Sequence, residues 1–198
     1  LLRDALAASG EVVLLVPSLA QALDAQRVLA GLDGLSLGVS VSTPDLWVRE
    51  RWGVWGDGRE LVSRAARELL VERALAGSED LGRSSGMVAL LAGLAEAGLP
   101  WLADAPRPEG VTDAEVEAVG VLGAYARELE RCGLVEPCAA AAELPSLMRT
   151  AGARTGAVVL RGFSELPRAQ RELVCGLAAD GEVTVVVEAG DNPSTASG

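Results

Sequence analysis

The 198-residue chain contains no lysine, no histidine and no isoleucine, and a single phenylalanine, Phe163, and a single asparagine, Asn192. All 17 basic residues are arginine. Lysine, isoleucine, asparagine and phenylalanine share AT-rich codons, so a GC-rich genome accounts for the bias, but its chemical consequences hold whatever the cause. Without histidine there is no Ser-His-Asp triad, no Cys-His pair and no imidazole ligand for a metal. Without lysine there is no phosphate-loop lysine and no Schiff base. No run of 18 apolar residues occurs, so no segment is expected to span a membrane. The start lacks the basic, apolar and cleavage regions of a secretory signal, and it opens on Leu1 rather than methionine. The expectation is a cytoplasmic piece of a longer protein.

At 49% hydrophobic and 23% charged residues, the chain can bury a core and is too apolar to be disordered. The net charge of −11 speaks against a stand-alone nucleic-acid binder, which carries a basic patch. The three cysteines, Cys132, Cys138 and Cys175, show no zinc-type spacing and are expected as buried free thiols.

Residues 1–9 read as a helix closed by Gly10. Val12 to Val16 is a continuous apolar run, the pattern of a strand buried on both faces of a parallel sheet. Ser18 and Gln21 open a helix as an S-x-x-Q capping box, and Gly31 ends it. Leu37 to Ser42 is a second strand, giving β-α-β. From Asp45 to about Met148 no strand is expected, only helices over roughly 59–76, around Met87–Leu94, from Thr112 to Gly133 and over about 137–150. Ala157–Leu160 and Val183–Val187 then flank a further helix. The expected fold is an α/β parallel core over 1–44 and 153–198, interrupted by an all-helical insertion over 45–152.

Four local patterns invite chemistry. Gly82-Arg83-Ser84-Ser85-Gly86 has the letters of a nucleophile elbow but lacks the preceding strand and a histidine, so Ser84 is read as a helix cap. Asp113, Glu115 and Glu117 are explained by the helix dipole rather than by a metal. Trp47, Trp52 and Trp55 with Arg49 and Arg51 form an aromatic and basic cluster that either packs against the insertion or stacks single-stranded bases, packing being favoured. Val158 to Leu160 is an apolar strand that ends in Arg161 and Gly162. Nucleotide-hydrolysing motors carry a magnesium-binding acidic pair at such a strand end, and an arginine there opposes a cation.

The order of these pieces resembles the first helicase domain of superfamily 1 motors of the UvrD/RecB kind, and most of all the amino-terminal region of AddB-like subunits of ATP-dependent helicase-nucleases. Val13-Leu14-Leu15-Val16-Pro17-Ser18 with Gln21 resembles the strand and loop after the nucleotide helix. Val39 to Leu46 is similar to the "T-F-x-x-L" strand end that lies near single-stranded DNA, and Leu61 to Leu70 to the helix that opens the inserted subdomain. Leu160-Arg161-Gly162-Phe163-Ser164-Glu165-Leu166 with Gln170 resembles the "D-G-F-x-x-L-x-x-x-Q" form of the Walker B motif in such subunits. Val187-Glu188-Ala189-Gly190-Asp191 resembles the approach to the third helicase motif, without its glutamine.

The resemblance implies a P-loop NTPase-like (RecA-like) core with a degenerate Walker B position at Arg161, Gly162 and Glu165, and a motif III-like Gly190 and Asp191. It implies single-stranded DNA near Thr43, Trp47, Arg49, Arg51, Trp52 and Trp55. No catalytic residue and no metal ligand is expected in the chain. For the parent protein it implies ATP with Mg2+, an iron–sulfur cluster in a distant nuclease domain, and a helicase-nuclease A subunit as heterodimer partner in double-strand break repair. On this reading the domain is a scaffold and DNA guide. The alternatives are an active ATP-dependent helicase domain whose phosphate loop lies upstream, and a protein-interaction domain unconnected with DNA.

Overall fold

The computed structural model describes residues 1–32, 37–78, 81–98, 110–179, 181 and 183–186. The amino-terminal third alternates helix and strand: α1 (Leu2–Ser9), β1 (Val12–Leu15), α2 (Leu19–Ala30), β2 (Val39–Ser42) and α3 (Pro44–Trp55). The middle holds β3 (Glu60–Leu61), α4 (Arg64–Leu75), α5 (Ser85–Glu96), α6 (Asp113–Arg131), β4 (Leu134–Val135) and α7 (Pro137–Thr150). The chain then forms β5 (Ala157–Arg161), α8 (Arg168–Ala178) and β6 (Val183–Val186).

Four strands make a parallel sheet in the order β2-β1-β5-β6. β1 is central, and all four of its residues are at most 3% exposed. Their side chains alternate between two layers, as the pleat requires. Val13 and Leu15 join Val158 and Leu160 of β5 against α3, α7 and α8, while Val12 and Leu14 join Ala157 and Val159 against α1 and α2. Helices on both faces explain why β1 reads as an unbroken apolar run. Each large side chain buried in this strand pair contributes about 1.5–3 kcal/mol to the cohesion of the sheet.

The sequence expectations for α1, β1, α2 and α6 match the structure closely. Ser18 Oγ accepts from the Gln21 backbone N–H at 3.3 Å and donates to Gln21 Oε1 at 3.1 Å. Thr112 and Glu115 form a complete capping box at the start of α6. Ser84 caps α5 by accepting from the Met87 N–H at 3.1 Å.

Three features differ from expectation. Residues 44–55 form a helix, with Thr43 as its cap and Pro44 in its first turn. The middle contains two strands: β3 and β4 pair in parallel, Glu60 opposite Leu134 and Leu61 opposite Val135. Cys132 and Cys175 are exposed and only Cys138 is buried, all three as free thiols. Cys132 is exposed because it caps the end of α6, where the chain turns out through Gly133 at φ 64°.

The apolar side chains of the middle divide between two cores. Residues of α4, α5 and α6 build a separate one around Val71, Leu75, Leu91 and Tyr125. By contrast, Trp47, Val48 and Trp52 of α3 and Ala140, Leu144 and Met148 of α7 pack with the sheet. Gly176 of α8 lets α7 come close, since a Cβ there would lie 2.7 Å from Pro145 Cγ. The two cores are tied by Arg67 of α4, which reaches Glu136 at the start of α7. Among the described residues no helix is long and apolar enough to cross a membrane.

Candidate functional site

In the order β2-β1-β5-β6, the chain leaves β1 for β2 on one side, and β5 lies on the other. The carboxyl ends of β1 and β5 therefore flank a topological switch point, the place where open parallel sheets leave a crevice for ligands. Three elements meet there. Pro17 and Ser18 follow β1, Thr43 follows β2, and Gly162 follows β5. Gly162 takes φ 78°, a conformation that favours glycine, and a Cβ on it would lie 3.5 Å from Gln21 Nε2 and 3.7 Å from Pro17 Cδ. Thr43 Oγ1 is engaged by the Leu46 N–H at 3.4 Å as a helix cap. Arg161 and Glu165 are exposed at this edge.

A hard cation at the end of β5 would need carboxylate oxygens. The strand ends instead in a guanidinium and a glycine, and Glu165 sits exposed beyond them. These residues do not fit Mg2+. Gly190 and Asp191 lie outside the described residues.

The aromatic and basic cluster does not converge on one surface. Trp47 and Trp52 are 3% and 5% exposed, so their rings are core and offer no open face to a base. Trp52 Nε1 donates to the Arg59 carbonyl at 2.7 Å, while Trp47 Nε1 finds no acceptor among the described residues. Arg51 lies over the Trp47 ring at 5.8 Å and Arg59 over the Trp52 ring at 5.9 Å. Arg49 is exposed and Trp55 half-buried. The 12 residues of α3 span about 18 Å, so Thr43 and Trp55 stand near opposite ends of the sheet.

At the amino ends of β1 and β5 the surface is concave. A cavity of about 800 Å3 is lined by Glu11, Met148, Arg149, Arg154, Thr155 and Leu177 among others. A second of about 140 Å3 shares Glu11, Met148, Arg154 and Thr155 with it and extends to Arg51 and Trp55. Gly156 sits on the floor, where a Cβ would lie 2.2 Å from the Glu11 carbonyl oxygen, so the loop and β1 are in direct backbone contact. Sequence reasoning named Arg51 and Trp55 but missed Arg149 and Arg154. Arginines that close α7 and follow it in a loop carry no local signature of a shared groove.

The most strongly perturbed groups lie elsewhere, between the two cores. Arg67 Nε and Nη2 donate to the two carboxylate oxygens of Glu136, each at 2.8 Å, and the Tyr125 hydroxyl donates to Glu136 Oε1. The hydrogen bonds that Glu136 accepts from it hold Arg67 protonated well above its ordinary range. Burial, followed by the Glu136 hydrogen bond, pushes the Tyr125 hydroxyl far up. All three side chains are buried, and they tie α4 and α6 to the start of α7. Burial, followed by the Glu136 charge, pushes the neighbouring Cys138 thiol up to about 11. No known family pattern matches the chain, and no curated protein matches it.

Proposed function

We propose that the chain is a catalytically degenerate helicase-like domain of the AddB-like kind, acting as a scaffold and single-strand guide within a larger DNA-processing assembly. The observation that carries this reading is the end of β5. A parallel sheet with helices on both faces brings Arg161 and Gly162 to the switch point, where a P-loop motor of this kind needs its magnesium carboxylates. A second helical core, inserted between β2 and β5, supports the same reading, because it matches the position of the inserted subdomain in the resemblance. Motor power, ATP with Mg2+ and any iron–sulfur cluster would then belong to other parts of the assembly, the A subunit among them.

The test is a fluorescence anisotropy titration of a labelled single-stranded oligonucleotide across a salt series, with and without Mg-ATP. Single-strand affinity that weakens with salt and is unchanged by Mg-ATP is the expected result. DNA-stimulated ATP hydrolysis would make the domain an active motor. Absence of salt-dependent affinity would leave a protein-interaction domain.

A further inference from the structure

We infer that the groove at the amino ends of β1 and β5 is a docking site for the phosphodiester backbone of a single nucleic-acid strand, with Arg51 and Arg154 as its principal phosphate contacts. This inference rests on the proposed single-strand role and assigns that role a place, on the edge of the sheet opposite the switch point.

Charge is the first argument. The chain as a whole carries 28 acidic and 17 basic residues. Among the described lining residues of the two adjoining cavities that balance is reversed locally, with Arg51 and Arg154 beside the single carboxylate of Glu11. Arg51 Nη2 is 3.9 Å from Glu11 Oε1, a loose pair that leaves most of its donors open to another anion. Arg154 is exposed and makes no ion pair or hydrogen bond among the described residues. A guanidinium held on a concave rim without a carboxylate partner is suited to a phosphate, which it can grip through two N–H groups.

Shape and chemistry of the lining are the second argument. The two cavities share one floor, so together they form a trough rather than a single pit. Trp55 lines the smaller one beside Arg51, and Met148 lines both. Single-strand sites combine a basic track for the backbone with aromatic and apolar surface for the bases. An acidic peptide would use the arginines but has no need of an indole at the trough's end.

The test uses a fluorescein-labelled oligothymidylate of about 15 nucleotides, within the range that such grooves accept. Arg154→Glu is expected to weaken binding about tenfold or more, the worth of one charge-assisted hydrogen bond, because it replaces an exposed side chain and leaves the core untouched. Arg51→Ala with Arg154→Ala is expected to flatten the slope of log affinity against log salt by about 1.4, at about 0.7 for each phosphate no longer neutralised. Arg27→Ala, on the exposed face of α2, serves as the control, and a thermal melt of each variant separates impaired binding from impaired folding. If the oligonucleotide binds but the groove variants bind as well as the parent, the groove assignment is wrong and the single-strand role survives. No binding by the parent protein would overturn both. An acidic peptide that displaces the strand at equal charge concentration would reassign the groove to protein.

Discussion

Arg67 and Glu136 form a two-pronged ion pair with both side chains almost fully buried, 5% and 3% exposed. They are 69 residues apart, and they join α4 of one core to the N-cap of α7 in the other. Both partners have been taken out of water, and their mutual attraction offsets the cost of that desolvation. Truncating one should therefore cost more than removing both. Arg67→Met is expected to lower unfolding stability by about 3–5 kcal/mol, whereas Arg67→Met with Glu136→Leu should recover much of that loss. Urea unfolding of Arg67→Met, Glu136→Leu, the double variant and the parent measures this. A double variant as unstable as the sum of the singles would mean that the pair is not coupled.

The three thiols differ in reach. Cys132 and Cys175 are exposed and Cys138 is buried. At pH 8, iodoacetamide is expected to modify Cys132 and Cys175 in the native protein and Cys138 only after denaturation. Mass spectrometry of the native and unfolded adducts reads the pattern directly. The buried thiol also sets a pH dependence. Its folded value is raised to about 11 from an ordinary 9.0. The preference for the neutral form stabilises the fold below pH 9 and is lost as pH rises from 9 towards 11.

Acid should loosen α6 from its amino end. Hydrogen bonds from the Thr112 backbone N–H and hydroxyl hold Glu115 below its ordinary value of 4.5, and the Arg131 hydrogen bond does the same for Glu128 near the helix's other end. Depressed carboxylates stabilise the folded state above that ordinary value, and the contribution disappears as pH falls below it. The prediction is a drop in unfolding midpoint between pH 5 and pH 3 that is smaller in Thr112→Ala, because that variant has already lost part of the box. At pH 7, Thr112→Ala itself should cost about 1 kcal/mol as a lost helix cap. Equal acid sensitivity in both proteins would remove the capping box as its cause.

The sheet was legible because its signals are local. The apolar run at Val12–Val16, the cap at Ser18 and the glycine at Gly31 each occupy a few neighbouring residues. Thr43 followed by Pro44 is an equally local helix start, but the tryptophans and Gly53 masked the helix behind it. β3 and β4 are two residues each, too short for any periodicity to register. The fate of Trp47 and Trp52 depends on α7 and the sheet, which come together only in three dimensions. The same holds for the amino-edge groove, whose arginines come from α3, the end of α7 and the loop behind it.

The parallel pairing of β3 with β4 has an architectural consequence. The polypeptide departs for the helical core past Leu61 and returns past Val135, shoulder to shoulder and heading the same way. None of the described residues between them contributes a strand to the four-stranded sheet. The helical unit is thus a cassette in a socket. Descent could lengthen it, shorten it or exchange it for another without rethreading a single strand of the sheet, provided that the newcomer again supplies a cation to neutralise Glu136.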